Sequence, residues 1–242
     1  MTTTPTSASH PAQDPAQDIE GSIADIAQLL AGDLASTVTL AACTASTAAG
    51  VQEWLATVRG KRAALRHPRI ALFAGNGSSA RIATLQDGKD ALCALSEDIN
   101  SDLQVYELPD GTGSDRAAQL HALTYGMMAV QPGLDALAMA SLNNTAAPVF
   151  ANLDDLLASP RADLAAALGA MIAARLARVP VLACGEALRS VTALLERIHT
   201  GNAAHVLHAE ALLGGLAGDD SAVNCALALG QAKSLAALTR VQ

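Results

Sequence analysis

Aromatic side chains are nearly missing from this sequence: one Trp, two Tyr and two Phe, 2% of 242 residues. Apolar residues still make up 51%. Any core must therefore be built from Ala, Leu and Val, whose small volumes let helices pack close to one another and to a sheet. The four cysteines, Cys43, Cys93, Cys184 and Cys225, form no CxxC pair. That spacing argues against a structural zinc site and reads as reduced usage, with thiols as small apolar fillers. No run approaches the roughly 18 uncharged apolar residues of a membrane span. The opening MTTTPTSASHPAQDPAQD lacks the basic and apolar regions of a signal peptide. Positive charge is scarce as well. A net charge of −8 argues against a broad grip on nucleic acid or anionic lipid, though not against a local pocket for one phosphate. These absences together describe a soluble cytoplasmic protein with neither nucleic acid nor membrane as partner.

What is present has an ordered pattern. Residues 1–17 read as a disordered tail of Thr, Ser, Pro, Ala and Gln. Residues 18–66 read as an N-terminal helical segment: Ile23, Ile26, Ala27 and Leu30 recur at helical spacing, and a long helix or helix pair follows over 34–66. Its basic residues, Arg59, Lys61, Arg62 and Arg66, read as a solvated face, and His67-Pro68 ends it. From residue 67 to 242 short apolar runs alternate with amphipathic stretches. The runs are 69–74, 104–108, 135–141, 178–184 and, more weakly, 204–209. The stretches are 89–97, 114–130, 144–158, 161–177, 186–199 and 221–238. This alternation predicts an α/β fold: a three-layer, Rossmann-like parallel sheet of about five strands, with helices on both faces.

In such sheets ligands sit at the carboxyl ends of the strands. The first strand-end loop is Gly75-Asn76-Gly77-Ser78-Ser79. Its glycines permit positive φ and its amides suit an anion, with an ordinary βα turn as the alternative. No lysine follows the glycines as in a Walker A loop, and Ala80 takes the third place of a GxGxxG pattern. The third loop is Ser141-Leu142-Asn143-Asn144-Thr145. Ser141 or Asn143 is expected to cap a helix beginning near Asn144 and leave amides for a phosphate, or to do nothing but cap. In the fourth, Gly185 and Glu186 open a helix; Glu186 favours the helix dipole, or binds ribose hydroxyls or acts as a base. In the last, Gly218, Asp219, Asp220 and Ser221 precede an apolar helix, offering caps or a general base. His205 and His208, three apart, lack convincing metal-ligand spacing.

Taken in order, these loops resemble the nicotinate-nucleotide:dimethylbenzimidazole phosphoribosyltransferase family, as a divergent, shortened member. The resemblance runs from about His67 to Leu238, about seven-tenths of the chain. RIALFAGNGSSA is similar to the family's strand and Asp-His-Gly loop. DLQVYEL is similar to its next strand. LDALAMASLNNTAA leads into the place of Gly-Glu-Met-Gly-Ile-Gly-Asn-Thr-Thr. RVPVLACGEALRSVTALL resembles the family's Val-Pro-Val strand and following helix, and GDDSAVNCALAL resembles Gly-Glu-Gly-Thr-Gly-Ala-Ala-Leu-Ala-Leu. Asn144 and Thr145 match the Asn-Thr, Gly218 matches a glycine, and Asp219 falls on the catalytic Glu. The departures are Met139 for Glu, Ser141 and Asn143 for glycines, and Gly77 for His. The family's N-terminal Lys-Pro-Pro-Gly-Ser-Leu-Gly segment has no counterpart.

The resemblance implies transfer of phosphoribose from nicotinate mononucleotide to an aromatic base. It makes Asp219 the base and sets helix N-termini on the 5′-phosphate; the candidate substrate- and phosphate-binding residues of the loops are Gly75, Asn76, Gly77, Ser78, Ser141, Asn143, Asn144, Thr145, Gly185, Glu186, Gly218, Asp220 and Ser221. It also implies a homodimer that needs neither metal nor cofactor. Asp219 is one methylene shorter than Glu, and a misplacement of about 1 Å can cost about 100-fold in rate. The alternative is a catalytically impaired relative that binds a nucleotide or a partner.

Overall fold

The computed structural model describes residues 15–31, 47–60, 64–75, 77–108, 115–143, 145 and 148–238. Two helices come first, α1 (Pro15–Ala31) and α2 (Ala48–Arg59). The remaining order is β1 (Pro68–Ala74), α3 (Ser79–Gln86), α4 (Ala91–Asp98), β2 (Asp102–Glu107), α5 (Arg116–Met127), β3 (Ala136–Ser141), α6 (Leu153–Leu157), α7 (Ala162–Leu176), β4 (Val181–Cys184), α8 (Glu186–Ile198), β5 (Val206–His208), α9 (Ala209–Leu213) and α10 (Ser221–Leu238). The five strands form one sheet in the order β2-β1-β3-β4-β5, and every pairing is parallel. Among the described residues no helix is long and apolar enough to cross a membrane.

Both faces of the sheet are covered, which is why the central strands β1, β3 and β4 read as apolar runs and are buried throughout. Side chains alternate along each strand. Ala71, Phe73, Leu137, Met139, Val181 and Ala183 face the layer containing α1, α5, α7 and α8. Ile70, Leu72, Ala138, Ala140, Leu182 and Cys184 face the layer containing α2, α9 and α10. The helices of the 18–66 segment thus divide between the faces: Ile23 and Leu30 join the first core, Trp54 and Leu55 the second. Three of the five aromatics meet where β1, β2 and α5 adjoin, Phe73 with Tyr106 at 5.5 Å and Tyr106 with Tyr125 at 5.7 Å between ring centroids.

Two expectations need correction. The stretch 144–158 is not one helix; among its described residues only Leu153–Leu157 is helical, capped by Asn152, whose side chain accepts from the Asp155 amide. Asn143 turns the chain first by accepting from the Thr145 amide, and Pro148 lacks a donor. The basic cluster is not simply a solvated face either. Arg59 donates to the Asp135 carbonyl at 2.8 Å, and Arg66 lies beyond the helix; Lys61 and Arg62 lie outside the described residues.

Small residues let α5 and α7 approach until their backbones touch. A Cβ added at Gly126 would lie 1.9 Å from the Ala166 carbonyl oxygen, and one at Gly169 would lie 1.9 Å from that of Leu123. Neither obstacle is a side chain that can swing away. Gly169→Ala is therefore expected to cost about 3 kcal/mol or more, the upper end of overpacking penalties. Urea denaturation of the variant measures this, and a midpoint equal to the parent's would refute the close approach.

His205 is wholly buried, its Nε2 donating to the Met171 carbonyl at 2.8 Å. Burial, and secondarily the Arg175 charge, lowers its pKa from 6.5 to about 3. An unfolded chain binds the proton that the fold refuses. The resulting stability is complete above pH 6.5 and drains as pH falls toward 3, at about 1.4 kcal/mol per unit. Chemical denaturation between pH 6.5 and 5 should show this slope, and His205→Gln should flatten it. An unchanged slope in that variant would assign the acid lability elsewhere.

Candidate functional site

The sheet order reverses direction between β1 and β3, so the crevice at their carboxyl ends is the topological switch point, where open α/β sheets bind ligands. Ser141 ends β3 and donates to Asp163 Oδ2 at 2.5 Å, while accepting from the Asn143 amide at 3.0 Å. Asp163 lies in the first turn of α7, where a carboxylate suits the helix dipole. It is 1% exposed and receives both Nε and Nη2 of Arg161, at 2.9 and 2.7 Å. Arg161 Nη1 reaches Thr145 Oγ1 at 3.0 Å, and Asn143 Oδ1 accepts from the amide and hydroxyl of Thr145. The corner thus needs no glycine: an asparagine side chain closes the turn, and a buried ion pair fixes it from below. Gly75, after β1, lies over the same carboxylate; a Cβ there would sit 3.7 Å from Asp163 Oδ1.

The other predicted loops join this corner. Gly77 has φ +86°, and Ser78 stands at the head of α3 without capping it. The Ser78 hydroxyl is buried and has no partner among the described residues. Three residues on, Arg81 donates Nη1 to Asp220 Oδ1 at 3.0 Å and Nε to Asp90 Oδ2 at 3.1 Å. Asp220 also accepts from the amides of Ala222 and Val223 and so caps α10. Burial alone would raise its pKa. The bonds from Arg81 and the two amides outweigh burial and hold the carboxyl below its ordinary range. Gly185, with φ +87°, presses on the head of α10; a Cβ there would meet Ser221 Oγ at 2.3 Å. The Gly185 amide donates to Glu210, which also pairs with Arg189 at 2.9 Å. Gly218 exchanges two bonds with the Asn224 carboxamide, fixing the approach to α10.

Residues singled out from four loops therefore share one end of the sheet. Asn76 and Asn144 lie outside the described residues. Glu186 is there but points to solvent, its side chain 85% exposed, and among the described residues it pairs with Arg189 at 3.0 Å. Asp219 is exposed and has no partner among the described residues. Met139 is not at the crevice; it is wholly buried in the core beneath α7. Sequence reading missed Arg81, Arg161, Asp163, Arg189 and Glu210, which organise the site. Their only sequence signals were position: Arg81 follows the glycine loop, Arg161 and Asp163 open α7, and Glu210 follows the weak fifth strand. Each of the three arginines is neutralised by a carboxylate. Among the described residues no cluster of three metal-ligating side chains occurs.

Neither a sequence-family model nor a curated protein matches the chain. Solved structures do. A nicotinate-nucleotide-dimethylbenzimidazole phosphoribosyltransferase from Thermus thermophilus superposes with TM-score 0.64 at 12% identity, covering 94% of this chain and 96% of that one. A structure described as CobT from the same organism gives TM-score 0.61 at 12% identity, covering 89% and 96%. The chain has the fold of these phosphoribosyltransferases. The likeness reaches past the 67–238 span of the sequence resemblance into the N-terminal helices. It rests on architecture, since this phosphoribosyltransferase fold is built here on a sequence largely unlike its neighbours'.

Arg161 and Asp163 test how far the site depends on buried charge. Asp163→Leu strands a buried guanidinium and is expected to cost about 3–5 kcal/mol. Adding Arg161→Met removes the stranded charge and should recover much of that loss. Urea midpoints of both variants measure it; a double variant no more stable than the single one would show that the pair's charge is not the cause.

Proposed function

We propose that the chain is a phosphoribosyltransferase, moving phosphoribose from nicotinate mononucleotide to dimethylbenzimidazole or a related aromatic base. The observation that carries this reading is the head of α10. There Asp220 is locked by Arg81 and two amides, while its neighbour Asp219 stands exposed without a partner among the described residues. One carboxylate builds the site and the other is left to take a proton. The fold likeness supplies the reaction class.

In the reaction, a ring nitrogen of the acceptor base forms a bond to the anomeric carbon. The bond from that carbon to nicotinate breaks, and its electron pair leaves with nicotinate. Asp219 accepts the proton from the other ring nitrogen, which restores a neutral ring. The 5′-phosphate sits at the head of α3, where the first amides of a helix lack intrahelical partners and the Ser78 hydroxyl is buried and unengaged. Gly75, Gly77, Ser141, Asn143, Thr145, Gly185, Gly218 and Ser221 shape the crevice around it, with Asn76 and Asn144 as further contacts. Glu186 at the rim meets the ribose. The same reading makes the protein a cytoplasmic homodimer that needs no metal or cofactor.

A second reading, a non-catalytic relative that binds a nucleotide or partner, is favoured by one feature. Gly77 and Met139 replace the family's His and Glu, and Met139 is sealed in the core. Incubation with nicotinate mononucleotide and dimethylbenzimidazole, with nicotinate followed by chromatography, separates the two. Release that Asp219→Asn lowers by about 100-fold or more supports the enzyme. Undiminished release in that variant removes Asp219 from the mechanism. Absent release with a thermal shift on nicotinate mononucleotide favours the second reading, and absence of both defeats the two together.

A further inference from the structure

A cleft of about 510 Å³ opens at the amino ends of β1 and β2, the far end of the sheet from the crevice. Its size lies within the roughly 300–1,000 Å³ of small-ligand sites. Three tied loops form its walls. The first, Arg66-His67, is held from beneath: Asp135 Oδ2 accepts from the Arg66 amide at 2.5 Å and the His67 amide at 2.9 Å. The second holds Asn100 in the left-handed region at φ 49°, with the Asn100 and Ser101 amides bonded back into the end of α4. The third turns at Gly133, φ +91°, and closes with the Leu134 amide on the Gln131 carbonyl.

The chemistry of the lining is divided. Arg69 is 6% exposed and fixed by Asp102, the Ala129 carbonyl and Gln131. Arg66 and His67, which also line the cleft, are exposed, and their side chains have no partner among the described residues. Asp102 is half-exposed; Oδ2 takes Arg69 and Gln104, and Oδ1 has no partner among the described residues. Arg59 adds positive charge nearby, bonded to the uncharged Asp135 carbonyl. In a chain of net charge −8, this places an unengaged guanidinium and an imidazole on tied loops beside one open carboxylate oxygen.

We propose that this cleft is a second ligand site, for a small phosphorylated compound that also carries hydroxyl groups. The anionic group meets Arg66 and His67, where guanidinium geometry suits phosphate oxygens. A hydroxyl donates to Asp102 Oδ1, and Asn100 completes the contacts. The assignment does not rest on the activity proposed for the crevice.

The test is titration of the full-length, ¹⁵N-labelled protein with ribose 5-phosphate, ribose and inorganic phosphate, read at assigned backbone amides. Ribose 5-phosphate should shift the Ser101, Gly133 and Leu134 amides saturably. In Arg66→Ala/His67→Ala, which leaves the amides on Asp135 intact, the affinity should fall about tenfold or more. Ser78→Ala, at the other end of the sheet, should leave these shifts unchanged while reporting separately on the crevice. No saturable shift at the three amides, or an affinity equal in the Arg66/His67 variant, overturns the proposal. Inorganic phosphate binding as tightly as ribose 5-phosphate overturns the hydroxyl part of it.

Discussion

A parallel sheet covered on both faces must bury its central strands, and this chain has mostly small residues to do it with. That constraint drives α5 and α7 into backbone contact through Gly126 and Gly169. Without the close approach, a layer of alanines and leucines would leave voids where larger side chains normally stand. The scarcity of aromatics follows the same logic. Phe73, Tyr106 and Tyr125 are spent together toward the β2 edge of the sheet. Because α7 lies so close, its first turn delivers Asp163 directly under the ends of β1 and β3. Packing and site share one cause.

The crevice is organised by carboxylates that hold rather than react. Asp163 anchors Ser141 and Arg161, Asp220 anchors Arg81 and the head of α10, and Glu210 anchors Arg189 and the Gly185 amide. The pattern leaves Asp219 and the Ser78 hydroxyl without partners among the described residues. The opposite end of the sheet shows the reverse arrangement. There Asp135 stiffens the backbone, and the side chains of Arg66 and His67 have no partner among the described residues.

Most of the fold was legible because burial on both faces writes a strand as a continuous apolar run. β1 and β3 lie within a residue of their expected limits, and α10 starts at Ser221 and ends at Leu238 as its pattern indicates. The third loop was misread for a local reason. Asparagine bonding to its own backbone competes with helix formation, and apolar spacing does not register it. The links between the loops were illegible for a different reason. Arg81 meets Asp220 across 139 positions, and Asp163, two residues from Arg161, meets Ser141 across 22, so nothing in a local window shows which loops these pairs join. Met139 shows the limit of a resemblance carried residue by residue: the position aligns, but strand alternation turns it inward.

One consequence of the paired arginines concerns exchange. An anion arriving at Arg81 or Arg189 finds the guanidinium already occupied, so it is admitted by substitution and not by addition. The displaced carboxylate would then face water beside the newcomer, and its repulsion subtracts from the gain. Occupants of those positions are thereby held to a short stay, while the head of α3, which no side chain caps and whose first turn holds no acidic residue, has no such competitor.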